Sequence, residues 1–245
     1  MNRYLKHLVS ILFTLIFINA YSQTDSSGLS KISIQYHVLD TIETRENSIS
    51  INALWLKDTI EVCIQNENLK IDTIGLRNKL KDSTYLKKQE EIDKYLEFEK
   101  NSAQNCYSYA LEKYFAKNIS FRQNIFNKYS RIDRESLEKI LNTYFKVITE
   151  FEAKPKRNLK YPIPNDVIIA FVNNYDWVNH TVYYNNGVVY SKNGVFKPVE
   201  YQSLKELLKK CYWDTQKLII YKADENKIKN ICANILSVLP ADAGL

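Results

Sequence analysis

A β-hairpin in the second half of the chain constrains the fold most strongly. Residues 180–185 and 188–192 are rich in β-branched and aromatic side chains, and Asn186-Gly187 lies between the two runs. This dipeptide is typical of a two-residue type I′ turn. Such a turn pairs Asn185 with Val188 and therefore predicts an antiparallel sheet.

The register of this hairpin decides which side chains share a face. Successive residues of a strand point to opposite faces, so each face carries every second residue. One face is predicted to carry His180, Val182, Ser191 and Asn193. Lys192 points to the other face. The predicted sheet therefore places an imidazole beside a hydroxyl and an amide.

A second feature is a cysteine at a predicted helix start. Ser102 and Asn105 are helix-capping residue types, and apolar residues recur at helical spacing after Cys106. Backbone N–H groups and the positive end of the helix dipole favour a thiolate at this position. Beyond residue 22 the chain has two histidines, His37 and His180, and His180 is the better proton partner. A cysteine, an imidazole and a polar group beside that imidazole are the parts of an activated-nucleophile site.

These segments resemble the papain-like cysteine peptidases and amidases of the NlpC-type and CHAP-type families, many of which cut bacterial cell-wall peptides. The matching residues are Asn105-Cys106 at a helix start, 161–171 as a strand entering the sheet, and 180–194 as the histidine hairpin. The resemblance covers about residues 101–223. It implies an α+β fold with a papain-like core, in which a helix carrying the cysteine at its N-terminus packs on an antiparallel sheet carrying the histidine.

The resemblance also implies a mechanism that needs no cofactor and no metal. His180 takes the proton of Cys106, or holds its thiolate as an ion pair, and the sulfur attacks an amide carbonyl. The residue that orients the imidazole is either Ser191 or Asn193. Ser191 matches the family position, whereas Asn193 lies opposite His180 in the predicted register.

The surroundings of this pair supply further candidates. The N–H group of Cys106 and the side chain of Gln104 or Asn105 are candidate hydrogen-bond donors to the oxyanion. Tyr175 and Trp177 lie in the loop before the hairpin and are candidate substrate contacts. The same loop is equally typical of a plain connection.

Hydrophobic patterns predict the remaining elements. Strand-like runs cover residues 32–39, 48–56 and 59–65, and later strands are predicted at 166–173 and 218–221. Helices are predicted at 75–100, with a break near 82–83, and at 133–151, 199–212 and 226–236. Asp133 can cap the helix that begins there.

The N-terminus predicts export. Residues 1–22 have the pattern of a secretory signal peptide, with Arg3 and Lys6 ahead of an apolar run that is short for a membrane-spanning helix. We therefore expect a periplasmic or secreted chain with no membrane span in its mature part. Residues 23–100 are predicted to form a strand-rich region with a connecting helix, and residues 101–245 the papain-like domain.

The cysteines allow two arrangements. The four are Cys63, Cys106, Cys211 and Cys232, and disulfides form in exported proteins. Either Cys211 pairs with Cys232 and Cys106 stays free, or two bridges form and one of them includes Cys106. The second arrangement removes the enzyme interpretation.

Two functions remain. The first is a secreted thiol hydrolase that cleaves an amide bond in a peptide or a peptidoglycan-like substrate. The second is an exported binding or interaction domain on the same fold. Nucleic acid is not an expected partner, because the formal charge of +6 falls to +4 when two basic residues leave with the signal peptide, and the remaining charges are dispersed.

Overall fold

The computed structural model describes residues 36–66, 78, 89–116, 125–153, 162–212 and 214–238. These residues form an α+β fold with two antiparallel sheets, which confirms the predicted class. The predicted signal peptide and the start of the mature chain lie outside the described residues. No helix in the described part is long and apolar enough to span a membrane.

The first sheet has four strands. They are β1 (Tyr36–Arg45), β2 (Ser48–Trp55), β3 (Asp58–Gln65) and β4 (Ser130–Ile132), hydrogen-bonded in that order. The second and third predicted runs are confirmed, and the described part of the first run is also a strand. β4 lies beyond residue 100, so this sheet joins the two regions into which the sequence was divided.

The second sheet has six strands. They are β5 (Phe145–Glu152), β6 (Val167–Val172), β7 (Val178–Asn185), β8 (Val188–Lys192), β9 (Pro198–Tyr201) and β10 (Lys217–Ala223). Their order across the sheet is β5-β10-β6-β7-β8-β9. β7 and β8 are the predicted hairpin, with Asn185 paired to Val188. The φ angles of Asn186 (49°) and Gly187 (82°) are both positive, as a type I′ turn requires.

Five helices lie in the described part of the chain. They are α1 (Gln89–Ser102), α2 (Cys106–Phe115), α3 (Arg134–Tyr144), α4 (Leu204–Lys210) and α5 (Glu225–Val238). The predicted caps of α2 and α3 are confirmed. Oδ1 of Asn105 accepts a hydrogen bond from the N–H of Ser108 (3.1 Å), and Oδ1 of Asp133 accepts one from Ser136 (2.8 Å). Each bond satisfies an N–H group that has no partner inside its own helix.

The helix predicted over residues 133–151 is wrong in its second half. α3 ends at Tyr144, and the chain continues as β5, which pairs with β10. Phe145 and Phe151 are buried in this strand, whereas Val147 is 53% exposed. The β-branched residues of this segment suit a strand, and its pairing partner lies too far along the chain for a local pattern to reveal it.

The helix predicted over residues 199–212 begins later than expected. Residues 198–201 form β9, which pairs with β8, and α4 starts after its cap Ser203. Tyr212 therefore lies beyond α4, in the connection to β10. This position matters for the site described below.

The six-stranded sheet is covered on both faces. On one face, α2, α3 and the first sheet form a core in which the rings of Phe115 and Tyr144 pack on Trp55. On the other face, Phe171 and Leu207 belong to a second core beneath α4. All six residues of β6 are buried. A polar group near this strand must therefore find a hydrogen-bond partner within the protein or lower the stability of the fold.

Candidate active site

Cys106 is the first residue of α2, as predicted. The cap Asn105 holds the helix start in two ways, because its Oδ1 accepts from Ser108 and its Nδ2 donates to the carbonyl oxygen of Ile132 (2.6 Å). Cys106 is only 8% exposed. The thiol thus lies at a rigid helix start inside the protein.

Burial governs the protonation state of this thiol. It raises the pKa of Cys106 from an ordinary value of 9.0 to about 11. The backbone N–H groups of Thr181, Cys106 and Tyr107 hydrogen-bond the sulfur and lower the pKa, as does the positive charge of Lys192. The helix start therefore favours the thiolate as expected, but burial has the larger effect. At neutral pH Cys106 is a thiol, and the predicted thiolate is not the resting form.

His180 is enclosed on β7. Its ring stacks on Tyr212 with 4.0 Å between the ring centroids, and Phe171 contacts it edge-on at 5.3 Å. Nε2 lies 2.9 Å from Oγ of Ser191. Burial lowers the pKa of His180 from 6.5 to about 3, so the imidazole is neutral at physiological pH.

A hydrogen-bonded chain behind the ring determines its tautomer. The Ser191 hydroxyl donates its one hydrogen to Oδ1 of Asn193 (3.0 Å), and the hydroxyl of Tyr212 donates to the same oxygen (3.1 Å). With the Ser191 hydrogen assigned to Asn193, Ser191 accepts towards His180. This assignment places the ring hydrogen on Nε2 and the lone pair on Nδ1.

The same hydrogen bonds show which of the two candidate orienting residues contacts the imidazole. Ser191 contacts the imidazole directly, and Asn193 contacts Ser191 instead of the ring. The Nδ2 group of Asn193 donates to Sγ of Cys211 (3.1 Å). Asn193 thus supports Ser191 from behind, and its predicted direct contact with His180 is not formed.

In the described part of the chain, no hydrogen bond joins the thiol of Cys106 to the imidazole of His180. Nδ1 of His180 is buried and has no hydrogen-bond partner among the described residues. Thr181, the next residue of β7, donates from its hydroxyl to the carbonyl oxygen of Cys106 (3.3 Å). Because adjacent strand residues alternate, α2 meets β7 through Thr181, whereas the ring of His180 lies against Phe171 and Tyr212. His180 pairs with Phe171, so the ring faces the core beneath α4, on the side of the sheet opposite to α2.

Gln104 is not placed as an oxyanion donor. Its Nε2 group donates both hydrogens elsewhere, one to Oε2 of Glu112 (2.5 Å) and one to the carbonyl oxygen of Asn127 (3.0 Å). Asn105 uses one Nδ2 hydrogen on Ile132 and so retains a second one. Of the two predicted side-chain donors, the hydrogen bonds leave only Asn105 with a hydrogen for this purpose.

Tyr175 and Trp177 are 68% and 54% exposed on the loop before β7. Oδ1 of Asn173 accepts from the backbone N–H groups of both residues, which holds the loop in shape. Trp177 and Tyr107 line the same open pocket of about 410 Å³. Tyr107 follows Cys106 in sequence, but neither Cys106 nor His180 is among the residues that line this pocket.

Several residues of this region carried no signal in the sequence. Tyr212 lay inside a predicted helix, and nothing marked it as the ring that stacks on His180. Arg134 and Asn179 also line the pocket of Trp177, and the Arg134 guanidinium lies 4.5 Å from the Trp177 ring. Only the cap position of Asp133 pointed to this part of α3.

All four cysteines are free, so the predicted disulfide between Cys211 and Cys232 is absent. Cys211 packs against the core beneath α4, and Cys232 packs against the core on the opposite face of the six-stranded sheet. The sheet therefore separates the two sulfurs. The alternative bridge through Cys106 is absent as well, which leaves its thiol available for chemistry.

Comparison of the chain with models of protein families, with curated proteins and with solved structures found no match. Among the described residues, no group of three or more His, Cys, Asp or Glu side chains is arranged to hold a metal ion. The site must therefore be interpreted from its own geometry.

Proposed function

We propose that this chain is a thiol hydrolase with a papain-like core, in which Cys106 is the nucleophile and His180 is the base. The observation that carries the proposal is the state of the imidazole. Ser191 accepts from Nε2, so the lone pair lies on Nδ1, and Nδ1 has no hydrogen-bond partner among the described residues. A buried acceptor without a partner is costly, and the thiol proton of Cys106 is the partner that the proposed reaction supplies.

The neutral resting pair determines the first step. As Sγ of Cys106 bonds to the amide carbonyl carbon, its proton passes to Nδ1 of His180. The imidazolium then gives this proton to the leaving nitrogen as the C–N bond breaks, and a thioester remains. A water molecule bonds to the thioester carbon and gives a proton to Nδ1. The C–S bond breaks, and the proton returns to sulfur.

The surroundings support these proton transfers. Ser191 keeps accepting from Nε2 throughout, while stacking on Tyr212 limits rotation of the ring. Backbone N–H groups of Cys106, Tyr107 and Thr181 surround the sulfur and are positioned to stabilise developing negative charge. The first step requires Cys106 and His180 to approach each other, because at rest Cys106 lies with Thr181 and the imidazole lies with Phe171 on the opposite face of β7.

The proposed substrate is a peptide or a peptidoglycan-like amide. Its place is the pocket beside Tyr107 and Trp177, where exposed aromatic rings can pack on peptide or sugar groups. Residues 101–245 would hold the catalytic domain, preceded by a signal peptide over 1–22 and by the region 23–100. The protein would act in the periplasm or outside the cell.

A thiol-directed probe tests this proposal. The full chain is incubated with acyloxymethyl ketones of cell-wall stem peptides, and the labelled residue is identified by mass spectrometry. We expect labelling at Cys106, and we expect it to disappear in His180→Gln. Cys63→Ser is the matched control and should be labelled like the wild type.

Digestion of purified peptidoglycan by the same variants, followed by mass spectrometry, identifies the bond cleaved. If no peptide of the panel labels the wild type and no muropeptide is released, the proposal is wrong.

A binding domain without catalysis is the second candidate. It is favoured by the exposed pair Tyr175 and Trp177 together with the guanidinium of Arg134 over the Trp177 ring. Under this alternative, Trp177→Ala would abolish binding of cell-wall fragments, whereas Cys106→Ala would bind them normally and the wild type would show no turnover.

A further inference from the structure

A second cavity, of about 390 Å³, lies away from Trp177, between the end of α1, the end of β3 and β8. Three lysines line it, Lys100, Lys128 and Lys192, together with polar groups that include Asn101 and Tyr129. No carboxylate of the described residues is among the lining groups. The pocket of Trp177 differs in this respect, because acidic and basic side chains both line it.

Lys192 places a buried positive charge beside this cavity. The residue is only 2% exposed, and its ammonium group donates to the carbonyl oxygens of Asn101 (2.7 Å), Phe196 (2.8 Å) and Gly194 (3.1 Å). These three bonds use all the hydrogens of the group. The carbonyls provide dipoles but no negative charge, and no ion pair to Lys192 occurs within the described part of the chain. Burial lowers the pKa of Lys192 to about 8, so the group is mostly charged at neutral pH.

The other two lysines reach the cavity from flexible side chains. Lys100 belongs to the last turn of α1, and Lys128 lies before β4 with its ammonium 4.7 Å from the ring of Tyr129. Lys100 and Lys128 are exposed, whereas Lys192 is held by three carbonyl oxygens. The charge of Lys128 also opposes the rise in the pKa of Glu112 that burial causes. The cavity thus combines one fixed buried charge with two exposed ammonium groups.

We propose that this cavity binds a small anionic molecule whose charge is carried by carboxylate or phosphate groups. Lys192 supplies a fixed positive potential in a region of low dielectric, where an opposite charge is stabilised more strongly than in water. Lys100 and Lys128 supply direct charge-assisted hydrogen bonds. A volume near 390 Å³ falls within the range of small-molecule pockets. This proposal does not depend on catalysis at Cys106.

Titration calorimetry on the full chain tests the proposal with two probes, inorganic phosphate and the tricarboxylate tricarballylate. We expect at least one to bind, with an affinity that falls as salt concentration rises. The double variant Lys100→Gln/Lys128→Gln should weaken binding by about tenfold or more, because charge-assisted hydrogen bonds are lost. Lys146→Gln, on the exposed edge of β5, is the matched control and should bind like the wild type.

The two probes distinguish the chemical sources. Binding of phosphate alone identifies a phosphorylated ligand, and binding of the tricarboxylate alone identifies a carboxylic acid. Because a variant at the buried Lys192 can fail to fold, this residue is followed in the intact protein by NMR of its Cε and Nζ atoms. The bound anion should raise its pKa. Absence of binding by both probes, or equal binding by the double variant, would overturn the proposal.

Discussion

The buried polar groups on the two faces of the β7–β8 hairpin differ in charge at neutral pH. On one face, His180 and Ser191 form a neutral network, and burial lowers the pKa of the imidazole to about 3. On the other face, the neighbouring Lys192 keeps its charge at neutral pH, because three carbonyl oxygens accept its hydrogens. Burial alone does not decide the charge of a group. The number and type of its hydrogen-bond partners decide it as well.

This difference separates two kinds of function. A neutral thiol and a neutral imidazole can exchange a proton during a reaction, and they attract no ions beforehand. A fixed ammonium group attracts anions continuously and is poorly suited to proton transfer while three carbonyls hold it. The imidazole and the ammonium group thus lie on opposite faces of one hairpin, and Cys106 lies on the Lys192 face, where the positive charge lowers the pKa of its thiol.

The largest expected effect concerns the proposed nucleophile. Cys106→Ser should lower kcat/KM for peptide hydrolysis by about a thousandfold or more, because the hydroxyl is a far weaker nucleophile with a neutral base. Steady-state kinetics with a peptide identified by the labelling screen measure this loss. Cys211→Ser, whose sulfur accepts from Asn193 behind the network, should retain most activity. Equal losses in the two variants would contradict the assignment of Cys106.

The second prediction concerns acid stability. Unfolded His180 titrates near 6.5 and folded His180 near 3, so between these values the unfolded chain holds a proton that the folded chain lacks. The stability contributed by the neutral ring is complete above pH 6.5 and is lost as the pH falls towards 3. Urea unfolding between pH 4 and 7 should show a weaker pH dependence in His180→Gln. His37→Gln, at an exposed position on β1, should keep the wild-type curve.

The stability of the fold at alkaline pH tests the titration of Lys192 and Cys106. Lys192 titrates at about 8 when folded and 10.5 when unfolded, so its contribution to stability rises with pH across that window. Cys106 titrates at about 11 when folded and 9.0 when unfolded, so its contribution falls across its own window. Unfolding curves should therefore decline less steeply above pH 9 in Cys106→Ala, while buried tyrosines with raised pKa values, such as Tyr107 and Tyr212, still lower the stability of both proteins as pH rises. A stability that declines identically in both proteins would contradict this separation.

A smaller effect is expected at the orienting residue. Ser191→Ala leaves the Nε2 hydrogen without its acceptor, so the lone pair is no longer confined to Nδ1. We expect kcat to fall by about 10- to 100-fold, the size typical of losing an outer partner of a functional imidazole, with little change in KM. NMR of the ring nitrogens should show the altered tautomer, and Ser191→Thr should restore it. An unchanged tautomer in Ser191→Ala would refute the role assigned to the hydroxyl.

The smallest expected effect is at the helix start. Asn105→Ala removes the cap of α2 and the bond to Ile132, and it should lower the free energy of unfolding by about 1–2 kcal/mol. Asp133→Ala, which removes a cap without a second side-chain bond of this kind, should cost less. Denaturant unfolding of both variants tests the order, and the reverse order would show that the bond to Ile132 contributes nothing.

Much of the local structure was predictable from the sequence. The turn at Asn186-Gly187 follows from two residues that tolerate positive φ, and the helix start at Cys106 follows from the capping ability of Asn105. The terminal helix, now α5, and the strand β10 also follow from their hydrophobic patterns. Each of these features depends on interactions between residues that are close in the chain.

Other features were not predictable in this way. The spacing of apolar residues after Tyr144 suits a helix, and only pairing with β10 makes that segment a strand. The cysteine count suggested a bridge between Cys211 and Cys232, and only the intervening sheet separates them. Ser191 and Asn193 were equal candidates until the hydrogen bonds of the folded chain placed them in series.

The sequence by itself determined the hairpin, the helix that begins with the cysteine, and the α+β class, because turns, caps and alternating patterns act over a few residues. Only the tertiary structure decided the charge states of Cys106, His180 and Lys192, the tautomer of the imidazole, and the stacking of Tyr212. These properties depend on burial and on hydrogen-bond partners contributed by distant parts of the chain, and no local pattern encodes them.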